Sequence, residues 1–185
     1  LLAREPELTV TGVELQPQAC ALFRRTAEEN GLQGRMHCLE GDLRQGLLPP
    51  GRFRLAVANP PYFPPDAGAV APDAARRTAR AETDCTLSQL CAAAARALTW
   101  GGSFCLVHRP DRLADVLEEL RRVRLEPKRL RFVHHTAAAP PSLFLLEARL
   151  GGGVGLTVEP PLLLHGPDGG ETEDVRRAYF RDKEE

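Results

Sequence analysis

Two consecutive prolines, Pro60-Pro61, set the firmest limit on this chain, because no regular element can run through them. Each fixes its own φ, lacks an amide proton and holds the residue before it extended. The apolar run Phe53-Arg54-Leu55-Ala56-Val57-Ala58 just ahead of them therefore reads as a buried strand that must stop at Asn59. Asn59 and Pro60 are held extended, and Tyr62 projects from a stiff arm. In α/β proteins ligands meet the chain at the carboxyl ends of such strands. A planar, amine-bearing ligand suits this turn: the Asn59 side-chain oxygen and the Pro60 carbonyl can accept its two N–H groups while Tyr62 stacks on its face. The same tetrapeptide is also compatible with an ordinary proline-rich loop closed by an Asx-type turn.

Around that turn, short apolar runs alternate with helical patterns. Leu8 to Glu14 is β-branched, Pro17 opens a helical stretch through Glu29, and Gly31 ends it. Met36 to Leu39 is a second strand, closed by Glu40-Gly41-Asp42, and Phe53 to Ala58 is the third. Residues 64–80, rich in proline, alanine and arginine, read as a loop before a helix from Leu87 to Leu98. Gly101-Gly102 is expected to stop that helix, Ser103 to His108 to form a fourth strand, and Asp111 to Val123 to repeat apolar positions at helical spacing. Arg129 to His134 and Leu143 to Leu150 follow with no helix between them, which predicts an antiparallel hairpin on an otherwise parallel sheet. The expected fold is thus α/β, a Rossmann-like open sheet that is mostly parallel with a C-terminal hairpin. One domain is expected, with its core in residues 1–150 and an appendage in 151–185, where Thr172 to Phe180 is a polar helix.

Composition narrows the partners. A formal net charge of −1 over 185 residues gives no global attraction to a polyanion, so such a partner needs a local basic patch. The five cysteines, at 20, 38, 85, 91 and 105, form no CxxC pair and stand mostly in apolar surroundings, which predicts buried thiols, a reducing cytoplasm and no metal site. No run is long and apolar enough for a membrane span, and no leader peptide is visible. Leu1-Leu2-Ala3-Arg4-Glu5 reads as the end of a helix, as in a fragment or processed form.

Three acidic or amide residues, Glu14, Asp42 and Asn59, close three successive strands, and the carboxyl ends of an open parallel sheet form one crevice. Glu14 can accept both hydroxyls of a ribose. Asp42 can accept an adenine amino group, or can simply shape a Gly-Asp turn. With this pattern the chain resembles the class I S-adenosylmethionine-dependent methyltransferases, in which an acidic residue ends the second strand and Asn-Pro-Pro-Tyr ends the fourth. The wider set Asn59-Pro60-Pro61-Tyr62-Phe63, Ala79-Arg80-Ala81-Glu82, Val107-His108-Arg109-Pro110, Leu125-Glu126-Pro127-Lys128-Arg129-Leu130-Arg131 and Glu159-Pro160-Pro161-Leu162 is similar to the bacterial adenine N6-methyltransferases of valine tRNA.

That resemblance implies methyl transfer from S-adenosyl-L-methionine to the exocyclic N6 of an adenine in a tRNA anticodon loop. It implies catalytic roles for Asn59, Pro60 and Tyr62, contacts to the base and its RNA from Pro61, Phe63, Arg76, Arg77 and Arg80, and cofactor binding by Glu14, Leu15, Asp42, Leu43 and Asn59. It also implies a first strand and an acidic, glycine-rich loop ahead of Leu1, which this sequence does not contain. Gly151-Gly152-Gly153-Val154-Gly155 does not replace that loop, since it leads into another extended stretch rather than opening a helix. A second basic cluster, Arg121, Arg122, Arg124, Lys128, Arg129 and Arg131, can meet phosphate or form a solvated face. His134-His135 is expected to be structural, because neighbouring strand residues face opposite ways. Two other functions share these features: a protein-glutamine N5-methyltransferase, and a non-catalytic RNA-binding remnant of the fold.

Overall fold

A computed structural model describes residues 2, 5–60 and 85–179. These form two compact units: residues up to Pro49 with 85–93 make the first, and 50–60 with 94–179 the second. Among the described residues no helix is long and apolar enough to cross a membrane.

The first unit is built on strand β1 (Val10–Glu14), helix α1 (Pro17–Glu29) and strand β2 (Met36–Glu40). The two strands pair in parallel, from Val10 opposite Met36 to Glu14 opposite Glu40. Pro17 stands at the helix start, where its missing amide costs nothing. The helix ends where Gly31 turns left-handed (φ 64°), its amide bonding to Glu28 O at 3.1 Å while the Leu32 amide reaches Ala27 O at 2.7 Å. This pair of bonds satisfies carbonyls that the last helical turn would leave open. Gly12 lets α1 lie close on β1, since a Cβ there would stand 3.2 Å from the Phe23 ring. Helix α2 (Leu87–Ala97) begins in this unit and ends in the second. Thr86 and Gln89 cap it reciprocally: the Gln89 amide donates to Thr86 Oγ1 at 3.2 Å and the Thr86 amide to Gln89 Oε1 at 2.9 Å.

The second unit is a six-stranded sheet made of β3 (Phe53–Ala58), β4 (Leu98–His108), β5 (Leu125–His134), β6 (Pro141–Leu150), β7 (Thr157–Val158) and β8 (Leu162–Leu163). The spatial order is β3-β4-β6-β5-β7, with β8 also on β5, and β6 runs against all the others. The sheet is therefore mostly parallel with an antiparallel β5–β6 hairpin, as the pattern predicts. Alternate residues Phe104, Leu106 and His108 on β4 and Phe144, Leu146 and Ala148 on β6 are buried on one face. Helix α3 (Leu113–Arg122) packs on β5 and buries Val116 and Leu120, four residues apart and so on one helix face. Helix α4 (Glu173–Ala178) is capped by Thr172, whose hydroxyl donates to Leu163 O at 2.6 Å and accepts from the Val175 amide at 3.4 Å.

Several boundaries differ from expectation for local reasons. Gly101-Gly102 does not stop α2, which ends at Ala97 and runs straight into β4. The glycine pair instead makes a bulge, with Phe53 opposite Leu98 but Leu55 opposite Ser103. Gly101 is left-handed (φ 78°), and a Cβ on Gly102 would lie 2.9 Å from Thr99 O. The helix expected from Asp111 is a single 3-10 turn, Pro110–Arg112, before α3 starts at Leu113. Strand β5 begins at Leu125 and tolerates the fully buried Pro127 because the pairing shifts register between Pro127 and Arg129. The segment after Gly153 returns to the sheet through β7 and β8, both parallel to β5.

Phe144 is completely buried at the centre of this unit. Phe144→Ala is expected to lower the unfolding free energy by about 3–5 kcal/mol in chemical denaturation; a loss within about 1 kcal/mol would remove this ring from the core.

Candidate active site

The carboxyl ends of β1 and β2 bring four of the expected residues together. Glu14 closes β1, and its carbonyl accepts the Gly41 amide at 2.9 Å, which ties the two strand ends to each other. One carboxylate oxygen, Oε1, accepts the Gln16 amide at 2.9 Å and so fixes the side chain at the edge. Leu15 lies beside it, exposed. Gly41 is needed at the end of β2: it is left-handed (φ 148°), and a Cβ would meet Leu47 Cδ1 at 2.7 Å. Asp42 then caps a 3-10 turn from Leu43 to Gln45. It accepts the Arg44 amide at 2.8 Å and the Arg44 guanidinium Nε at 2.9 and 2.7 Å. The Arg44 side chain, and then its amide, hold the Asp42 carboxyl below the usual carboxylate range. The turn-shaping role is thus the one the contacts display, and any ligand amine here shares these oxygens with Arg44.

Two thiols lie behind this edge. Cys20 Sγ donates to Glu14 O at 3.6 Å and stands 2.9 Å from Cys38 Sγ, so the helix thiol and the strand thiol meet under the residue that closes β1. Burial, followed by the hydrogen bond that its thiol makes to Cys20 Sγ, pushes the Cys38 thiol up to about 11.

Asn59 and Pro60 leave the end of β3 in the second unit, Asn59 exposed and Pro60 half-buried. Ala58 pairs with Leu106 on the parallel strand β4, so Asn59 and the end of β4 lie on the same edge. There His108 is 4% exposed, its ring stacked against Phe144 with centroids 6.3 Å apart. The Arg109 amide donates to His108 Nδ1 at 2.8 Å, which places the proton of the neutral ring on Nε2. Burial, and then the Arg112 charge, lower its pKa from the ordinary value. The sequence places His108 at the end of the expected strand Ser103 to His108 and within Val107-His108-Arg109-Pro110, with no site role of its own; the end of an alternating strand is the signal for a residue at a site edge. Pro61, Tyr62, Phe63, Arg76, Arg77 and Arg80 lie outside the described residues.

Most of the second basic cluster is neutralised locally. Arg121 pairs with Glu126 at 2.7 Å, and Arg122 with Glu118 and Glu119 at 2.6 and 3.1 Å. Arg129 bridges Glu147 and Glu159 at 3.0 and 2.7 Å, Arg131 reaches Asp174, and Lys128 donates to Gly153 O at 2.9 Å. Arg129 and Arg131 also line an open groove of about 370 Å³ on the sheet, with Ala58, Cys105 and Leu145. Arg124 differs, lying over the Trp100 ring at 4.8 Å. His134 Nδ1 contacts Ala139 O at 2.7 Å, and His135 stacks on His165.

Comparison with known proteins places the fold. A solved structure described as a predicted O-methyltransferase from Agrobacterium tumefaciens superposes with a TM-score of 0.74 over 94% of this chain and 77% of that one, at 21% identity. The geranyl diphosphate C-methyltransferase of Streptomyces coelicolor, solved with S-adenosyl-L-homocysteine, gives 0.57 over 80% and 64%, at 13% identity. The fold is that of the S-adenosylmethionine-dependent methyltransferases. No protein-family model matches. In sequence the chain is 31% identical over 153 residues, 80% of its length, to the tRNA1(Val) (adenine(37)-N6)-methyltransferase of Porphyromonas gingivalis. It is 34% identical over 116 residues, 62% of its length, to the protein of that name in Yersinia enterocolitica. The chain spans 59% and 45% of the length of these two relatives. Against this methyltransferase fold, Glu14, Leu15, Asp42 and Leu43 stand at the strand ends of the first unit, and Asn59 and Pro60 at a strand end of the second.

The Cys38 and His108 environments can each be measured. With its thiol pushed up to about 11, Cys38 is expected to react with iodoacetamide at pH 8 far more slowly than an ordinary cysteine, as read by mass spectrometry of the folded protein. Alkylation at the rate of a free thiol would mean that burial does not protect it. His108 is expected to titrate below the usual histidine value in NMR. Because folding depresses this pKa, the neutral ring contributes stability that is complete above the unfolded value and lost as pH falls through the folded one. An His108 midpoint at or above about 6.5 would contradict that environment.

Proposed function

We propose that the protein transfers a methyl group from S-adenosyl-L-methionine to the exocyclic N6 of an adenine in tRNA, with the anticodon loop as the target and the cytoplasm as its place of action. One observation carries the reading: Asn59-Pro60 closes a parallel strand of a methyltransferase fold, in a chain 31% identical over 153 residues to a tRNA adenine N6-methyltransferase.

The residues fit the cofactor by their chemistry. The Glu14 carboxylate is anchored through Oε1 by the Gln16 amide, and Oε2 can accept ribose hydroxyls. Leu15 and Leu43 supply apolar surface on either side of an adenine, and Asp42 can accept its amino group. When bound, S-adenosyl-L-methionine supplies an electrophilic methyl group and leaves as S-adenosyl-L-homocysteine. The chain's own contribution is positional. Asn59 Oδ1 and the Pro60 carbonyl accept the two N–H groups of the target amine, which draws the nitrogen lone pair out of conjugation with the ring. Tyr62 and Phe63 hold the unstacked base by its faces, with Pro61 stiffening the arm between them and the strand. The nitrogen needs no strong base beside it, since its proton departs to water after transfer. Arg76, Arg77 and Arg80 meet RNA phosphates next to the target.

The test is transfer of tritiated methyl from S-adenosyl-L-methionine to unmodified tRNA, followed by nucleoside analysis. Label in N6-methyladenosine is expected, and Asn59→Ala should lower the rate on the order of 10²-fold, as for loss of one preorganised polar contact. Label in a release-factor glutamine instead, or an Asn59→Ala variant with full activity, would overturn the assignment.

A further inference from the structure

The chain's only tryptophan is held in place yet left in water. Trp100 sits in the β4 bulge and is 66% exposed. Its ring lies against Gly151, where any Cβ would collide with it. The Arg124 guanidinium covers it at 4.8 Å from the ring centroid. Arg124 holds that place from a left-handed backbone (φ 62°), a conformation costly for a side-chain-bearing residue, while its carbonyl accepts the Gly151 amide at 2.8 Å. Two special backbone positions thus converge on one ring that is not part of any core.

The surroundings are cationic. Arg52 and Arg96 are adjacent, since the Gly51 and Arg52 amides bond to Arg96 O and Ala97 O at 2.9 Å. The Arg54 backbone borders Gly102, two residues from Trp100. Arg52, Arg54, Arg96 and Arg124 are exposed, and among the described residues none of them forms an ion pair with a carboxylate. This contrasts with the paired arginines 121, 122, 129 and 131. A fixed aromatic face flanked by unpaired guanidinium groups is the combination that binds single-stranded nucleic acid: the ring stacks on a base of any identity and the arginines follow the backbone. About 13 Å of strand separates Arg54 from Ala58, so this surface lies at the opposite end of β3 from Asn59 and is distinct from the methyl-transfer turn.

We propose that Trp100 and Arg124, with Arg52, Arg54 and Arg96, form a second RNA-binding surface that stacks an unpaired nucleotide away from the target adenine. The inference rests on the reading of the substrate as RNA. Because Trp100 is the sole tryptophan, its emission reports the contact directly. Titrating the full chain with unmodified tRNA, and separately with oligo(U) and oligo(dT), is expected to quench emission saturably with the RNA probes. Trp100→Ala, with its fold verified by circular dichroism, should weaken tRNA binding in a filter assay on the order of tenfold. Arg52→Ala/Arg54→Ala should flatten the salt dependence by about 0.7 in logarithmic slope per arginine. Four results would overturn the proposal: tRNA binding with unmoved Trp100 emission, unaltered affinity in Trp100→Ala, no tRNA binding at all, or a concentration-dependent emission shift without RNA, which would assign Trp100 to contact between copies of the chain. Quenching that saturates while no methyl reaches tRNA adenine would leave this surface standing and remove the methylation reading; methyl transfer without quenching would do the reverse.

Discussion

The parallel pairing of β3 with β4 organises the second unit. Because α2 carries the chain back before β4 begins, both strands leave the sheet on one edge, and Ala58 opposite Leu106 brings Asn59 to the end that also carries His108. Pro60 makes that edge rigid on one side, while burial and the Arg109 amide make it rigid on the other. β6 can then enter antiparallel between β4 and β5 only because its inward residues, Phe144, Leu146 and Ala148, continue the buried face of β4. The first unit repeats the principle on a smaller scale: parallel β1 and β2 end together, and the Gly41 amide locks Glu14 beside Asp42.

Charge is spent locally across most of this molecule. Arg44 serves Asp42, Arg121 serves Glu126, and Arg129 is shared by Glu147 and Glu159. Exposed pairs of this kind contribute little stability, but they set the potential a distant polyanion meets. With a net charge of −1, attraction to any polyanion would fall, among the described residues, to the few guanidinium groups that have no carboxylate beside them. That makes the stacking of Arg124 on Trp100 more informative than the length of the basic run that contains it.

Much of the candidate site is legible in the sequence, because its residues carry backbone signals as well as chemistry. Pro60-Pro61 ends a strand whatever packs around it, Pro17 starts a helix, and Gly41-Asp42 makes a turn. The misreadings came from signals with two meanings. Gly101-Gly102 is as good a helix stop as it is a bulge, and only the pairing of Phe53 with Leu98 chooses between them. Pro127 argues against a central strand until the register shift beside it is seen. The meeting of Cys20 with Cys38 had no local signature at all, since nothing at 18 residues' separation tells a strand thiol that a helix thiol lies under it.

By itself, the sequence determined the α/β class, the order of the elements as far as β6 and the placing of Glu14, Asp42 and Asn59 at strand ends, because hydrophobic period, proline and glycine act within a few residues of where they stand. Tertiary structure alone decided which strands are neighbours, that the arginines after Leu120 are mostly paired, that His108 is buried with its pKa lowered, and that Trp100 stays exposed beneath Arg124. Those outcomes depend on burial and on partners distant in the chain, and a desolvated ring or a neutralised charge has no counterpart in local sequence.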